Sequence, residues 1–162
     1  MKRVSSWLCA IVLASSSLVA NAALAAPVLP AFTSLTGATI TPAQMHGKVT
    51  VVALFSVTCP FCINEAPKLQ KLYLQNRAVL NVIAVSVDRT DPIRGARAWI
   101  ERHGLTHLVT TDAARFESVL GKPKGIPSVY VFDRAGKLVR SEIGEMLDED
   151  FAEIATYAKG LR

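Results

Sequence analysis

Formal charge is missing from residue 4 to residue 47 of this 162-residue chain, the gap lying between Lys2-Arg3 and Lys48. Cysteine is scarce, with only Cys9, Cys59 and Cys62. There is no second cysteine pair, and His46, His103 and His107 fall on separate predicted elements. A structural zinc site, which needs about four nitrogen or sulfur ligands, is therefore excluded. Dense basic runs with interleaved aromatics are absent too, so the net charge of +5 describes a mixed solvated surface and gives no support for nucleic acid binding. No internal repeat and no linker divides the chain, which points to one folded domain.

The uncharged N-terminus has an order of its own. A basic start is followed by the apolar run Trp7 to Leu13, continued by Ala, Ser, Leu and Val to about Ala20, and then by small residues from Ala20 to Ala26. These are the parts of a secretory signal peptide. Ala-x-Ala exits follow Ala22 and Ala25, and Ala25 is preferred. Residues 1–25 are then the leader and residues 26–162 the domain. The alternative is an uncleaved anchor, since the uncharged run is long enough to span a bilayer. Both readings send the domain to an oxidising compartment, periplasmic in the first case. Cleavage would remove Cys9 and leave a single Cys-x-x-Cys. A bridge between Cys59 and Cys62 closes almost no loop, so stapling is a poor reason for it.

Beyond the leader, Phe32 to Gly37 predicts a weak hairpin strand with a Gly turn, and Thr41-Pro42 opens one helical turn. Val49 to Phe55 is a nearly continuous β-rich apolar run, as expected of a strand buried on both faces. Ile63, Ala66, Leu69, Leu72 and Tyr73 recur at helical spacing, with Pro67 as a kink. A second buried strand covers Val79 to Val87. A helix from Pro92 to His103 closes at Gly104, a short strand spans Leu108 to Thr110, and Asp112 caps a helix to Leu120. Val129 to Phe132, the turn Asp133 to Gly136 and the strand to Ile143 form a hairpin. Asp148 caps a last helix. This order predicts an α/β thioredoxin fold: a mixed central sheet flanked by helices, with an N-terminal hairpin and a central helix-strand insertion.

Disulfide exchange needs one thiolate that attacks and a second thiol that releases the mixed disulfide. Cys59 stands at a strand-to-helix junction, where unpaired N–H groups and the helix dipole favour an anion. Pro60 suits the first helical position, and Cys62 lies one turn in. Cys59 is thus expected to attack and Cys62 to resolve, with their redox-active disulfide in place of any cofactor or metal. Glu65, three residues further on, fits equally an acidic residue in a first turn and a carboxylate serving a buried thiol. The histidines receive no role.

The segments GKVTVVALFSVTCPFCINEAPKLQKL, VIAVSVD and GIPSVYVFDRAGKLVRSEIG resemble the TlpA/ResA/DsbE-like exported thioredoxin-fold thiol-disulfide oxidoreductases, which include the reductants of cytochrome c maturation. The likeness covers nearly all of residues 26–162. It implies that Glu65 serves the buried cysteine. It also implies that Pro127 is cis and faces the pair, and that Thr58, Phe61 and Ile126 line the substrate surface. It further implies cysteine-containing exported proteins as substrates, with apocytochrome c as one candidate, and a membrane thiol electron donor. The chain departs from the family in having Thr58 where Trp usually precedes the first cysteine, Ala53 where the strand often carries Asn or Asp, and Pro-Phe between the cysteines. Pro-Phe supplies no cation for the thiolate, and Ile before Pro127 resembles thioredoxin, so a reductant or isomerase-type partner is favoured over a strong oxidant. The rivals are a thiol peroxidase, for which Val52 stands where a Pro is expected, and a Cu(I)- or apoprotein-binding module.

Overall fold

The computed structural model describes residues 28–161. The predicted leader, residues 1–25, and Cys9 within it lie outside the described residues. Strands β1 (Phe32–Thr33) and β2 (Thr39–Ile40) pair antiparallel as the expected hairpin. After the short helix α1 (Pro42–Met45) come β3 (Val49–Phe55), α2 (Pro60–Asn76), β4 (Leu80–Ser86), α3 (Pro92–His103) and β5 (Leu108–Thr110). The chain continues with α4 (Ala113–Leu120), β6 (Ser128–Phe132), β7 (Leu138–Ile143) and α5 (Asp148–Lys159).

Five strands form one sheet in the order β5-β4-β3-β6-β7. The β3–β4 and β4–β5 pairs are parallel, while β6 runs antiparallel to both β3 and β7. All seven residues of β3 are buried, which explains why its sequence does not alternate: a central strand covered on both faces has no solvent side. Val51 and Ala53 face Leu69 and Leu72 of α2 and Phe151 and Ile154 of α5. Val52 and Leu54 point the other way, into a cluster with Phe32, Phe116 and Phe132. Each such side chain contributes about 1.5–3 kcal/mol when taken from water. A third cluster joins Ala66 of α2, Ala96 and Trp99 of α3, and Val109 of β5 around the two cysteines. The inserted helix and strand therefore form one wall of the cysteine site.

Two expected caps differ. Asp148 is the first residue inside α5, and Leu147 is the cap, because the Asp150 carboxylate reaches back to the Leu147 N–H at 2.8 Å. Asp112 precedes α4 without capping it by its side chain. Its carboxylate accepts the N–H of Thr33 at 2.8 Å instead, fastening the N-terminal hairpin over α4. The helix α2 runs through Pro67 to Asn76.

Candidate active site

The site sits where β3 ends and α2 begins. Asp88, just past β4, shapes the turn between them. Its carboxylate accepts the Ser56 hydroxyl at 2.6 Å and the Val57 N–H at 3.0 Å, and also the Ser86 hydroxyl at 2.8 Å. One carboxylate thus binds the ends of two parallel strands together immediately before Cys59. Sequence reasoning gave Asp88 no such part, because its partners come together only in the sheet.

Cys59 is the N-cap of α2, and the N–H of Cys62 donates to its sulfur at 3.2 Å. Pro60 occupies the first helical turn, where a missing N–H leaves nothing unmet. The Cys59 thiol in turn donates to the Ile126 carbonyl at 3.7 Å. The Ile126–Pro127 peptide is cis, as the resemblance implied. Gly144 N–H donates to the Pro127 carbonyl at 2.8 Å, holding this loop against the β7–α5 connection. A Cβ at Gly125 would stand 3.1 Å from Ile143 Cγ2, a tight contact that the Ile143 side chain would have to ease.

Cys59 is more covered than its place at a helix end suggests. Only 9% of it is accessible, against 2% for Cys62. Phe55, Trp99 and the half-buried Val57 and Ile126 close around it, so the order of exposure agrees with the sequence but the margin is small. No bond joins the two sulfurs in this structure. Burial and the hydrogen bond with Cys59 push the Cys62 thiol up to about 12, and the charge of Glu65 adds to this.

Glu65 is 2% accessible, so it is no ordinary first-turn acid. Burial raises its carboxyl to about 7, against the opposing effect of the Met146 N–H, which donates to Oε1 at 3.2 Å. A small cavity of about 10 Å³ lies behind the pair, lined among others by Cys62, Glu65, Trp99 and His107. Phe61 is 55% exposed at the mouth of the site. Thr58 is exposed beside it, its N–H and hydroxyl near Ser56 Oγ at 3.3 and 3.1 Å. The structure thus gathers Cys59, Cys62, Glu65, Ile126 and Pro127 into one site, with Thr58 and Phe61 on its rim. Among the described residues no three His, Cys, Asp or Glu side chains cluster as metal ligands would.

The Redoxin family model matches residues 24–159. The chain belongs to the Redoxin family. Within that family it is a thiol-disulfide oxidoreductase of thioredoxin fold, similar to the ResA and YkuV proteins. It is 23% identical over 123 residues to the thiol-disulfide oxidoreductase ResA of Halalkalibacterium halodurans, covering 74% of this chain and 69% of that protein. In fold it is similar to a thiol:disulfide interchange protein of the thioredoxin family from Chlorobium tepidum, with a TM-score of 0.71 at 21% identity, covering 85% of this chain and 99% of the other. It is also similar to a secreted Mycobacterium tuberculosis disulfide oxidoreductase homologous to DsbE, with a TM-score of 0.63 at 20% identity, covering 78% and 94%. Trp99 of the inserted helix stacks on Phe55 with ring centroids 4.9 Å apart, in the same cluster as the cysteines. Its helical spacing gave no hint of which cavity it would line.

Proposed function

We propose that this chain is an exported reductant of protein disulfides, with Cys59 as nucleophile, Cys62 as resolving thiol and Glu65 as the base for Cys62. The carrying observation is the buried carboxyl of Glu65 beside the buried thiol of Cys62, while Cys59 alone meets the substrate face next to Ile126. In the first step the Cys59 thiolate attacks one sulfur of a substrate disulfide and the other sulfur leaves. The Cys62 N–H and the helix end support negative charge on Cys59. In the second step Cys62 gives its proton to Glu65 and attacks Cys59 Sγ. The Cys59–substrate bond breaks, the substrate sulfur leaves with the electron pair and takes a proton, and the Cys59–Cys62 disulfide remains. A thiol held near 12 does not ionise at neutral pH without such a base.

The redox couple is the pair of sulfurs itself, without metal or organic cofactor. Substrates are cysteine-containing exported proteins, apocytochrome c among the candidates, and a membrane thiol donor restores the dithiol. Export rests on the leader-like residues 1–25 and is consistent with the description of the M. tuberculosis relative as secreted. The mature chain then begins at Ala26, in the periplasm, and the mass of the exported protein tests this against a retained anchor. The direction rests on the uncharged Pro60-Phe61 dipeptide and on Ile126 before Pro127. Equilibration with glutathione should give a potential below about −180 mV. A value near that of the periplasmic oxidant, about −120 mV, would reverse the direction.

A further inference from the structure

His107 is the buried titratable group that this mechanism leaves unused. It precedes β5, where Thr106 is clamped to α2 by Gln70: the Gln70 amide donates to Thr106 Oγ1 at 2.8 Å and accepts the Thr106 N–H at 3.0 Å. The imidazole is thereby set into the wall of the cavity that Cys62 and Glu65 also line. His107 Nδ1 lies 3.1 Å from the Leu108 carbonyl. A carbonyl can only accept, so Nδ1 carries the hydrogen and Nε2 carries a lone pair. That Nε2 is buried and has no hydrogen-bond partner. Orphaned buried nitrogens are uncommon and costly. The Tyr73 ring meets the imidazole edge-on at 6.1 Å.

We propose that His107 is a positioning residue for Glu65: neutral, with Nε2 as acceptor, it receives the O–H of the protonated carboxyl across the shared cavity after Cys62 has given up its proton. The inference rests on the reading of Glu65 as the base for Cys62. Nε2 has no direct partner, and the cavity is roughly the size of one water molecule, so the link passes through one water. The proton moves from Cys62 Sγ to Glu65 and stays on a carboxyl oxygen, and no charge moves onto the imidazole. Burial holds His107 down to about 4, which suits an acceptor that must remain neutral. Met146 N–H holds Oε1, so the proton belongs on the other oxygen. The hydrogen bond relayed to Nε2 keeps that proton away from the Cys62 sulfur while it attacks Cys59. The charged neighbours of Glu65 act differently: Glu145 from the β7–α5 connection favours the protonated form, and Lys68 of α2 the ionised one.

The test exploits the two faces of the ring. In His107→Gln the side-chain amide can offer an acceptor near the place of Nε2, whereas His107→Asn keeps only a donor near Nδ1. Each variant of the full-length mature protein is given a chromogenic aromatic disulfide that caps Cys59. The second, unimolecular phase, in which Cys62 reclaims Cys59, is then followed against pH. That phase should speed up through a midpoint near 7. His107→Asn should lower the midpoint by about half to one pH unit, because a bond that favoured the neutral carboxyl is gone. His107→Gln should hold it, and in a Glu65→Gln background His107→Asn should change nothing. Equal shifts in Asn and Gln, or no shift in either, would overturn the role of His107 while leaving that of Glu65 intact. An unchanged profile in Glu65→Gln alone would remove the reading of Glu65 and this inference with it. If His107→Asn does not fold, ring-nitrogen NMR of the unaltered protein decides. A bare Nε2 whose shift moves with the Glu65 titration supports the role, and a hydrogen on Nε2 refutes it.

Discussion

The carboxylate of Glu65 accepts the peptide N–H of Met146, 81 residues along the chain, at 3.2 Å. One short contact therefore ties the second turn of α2 to the connection that precedes α5. It also means that a buried carboxyl is held in place whether or not it carries a charge, since an amide oxygen can accept the same N–H.

That geometry makes Glu65→Gln a clean substitution. Folding keeps Glu65 protonated up to about 7, against 4.5 for the free side chain. A group raised in this way contributes stability that is fully present below about 4.5 and lost as the pH rises through 7. The gap corresponds to about 3 kcal/mol at most. Glu65→Gln should thus match the native chain near pH 4.5 and exceed it in denaturant midpoint at pH 8, while slowing exchange. Parallel stability curves across that range would show that the carboxyl is not buried in solution.

The two sulfurs should separate under trapping. Cys62→Ala should accumulate mixed disulfides through Cys59, and Cys59→Ala almost none. Because Cys59 is only 9% accessible, small alkylating reagents should react with it well before bulky ones, while Cys62 stays slow with both. Rapid alkylation of Cys62, or equal trapping by both variants, would mean that the helix-end argument for Cys59 fails.

Asp88 should matter to both stability and chemistry. Removing a carboxylate that accepts three hydrogen bonds across two strands costs about 2 kcal/mol. Asp88→Ala should lower the unfolding midpoint and reduce exchange further than the stability loss explains, because the turn before Cys59 loses its fixed shape. Normal exchange by a destabilised Asp88→Ala protein would limit Asp88 to the fold.

Much of this architecture was legible because the signals were local. The unbroken Val49 to Phe55 run, Gly104 after a periodic helix, and the Asp133 to Gly136 turn each carry their structure within a few residues. The Asp133 carboxylate bonds the N–H groups of Ala135 and Lys137 just ahead of it. The misses concern side chains with distant partners. Asp112 looked like a helix cap, yet its carboxylate goes to Thr33, 79 residues away. Asp148 lost the capping position because Asp150 satisfies the Leu147 N–H from inside the helix. At the site, the Cys-x-x-Cys, Glu65 and the Ile126-Pro127 pair could be read in order along the chain. Asp88, Trp99 and His107 could not, since their places are set by how the inserted helix and strand dock on the sheet.

Trp99 gives that docking a spectroscopic consequence. The sequence holds two tryptophans, Trp7 and Trp99, and loss of residues 1–25 would leave Trp99 as the sole indole. It is stacked on Phe55 and packed in the cluster that contains both cysteines. An excited indole donates an electron readily to a nearby disulfide and much less readily to a dithiol. A chain without residues 1–25 would therefore carry its own optical gauge: its emission should brighten on reduction, so the redox state can be followed in real time without labelling either sulfur.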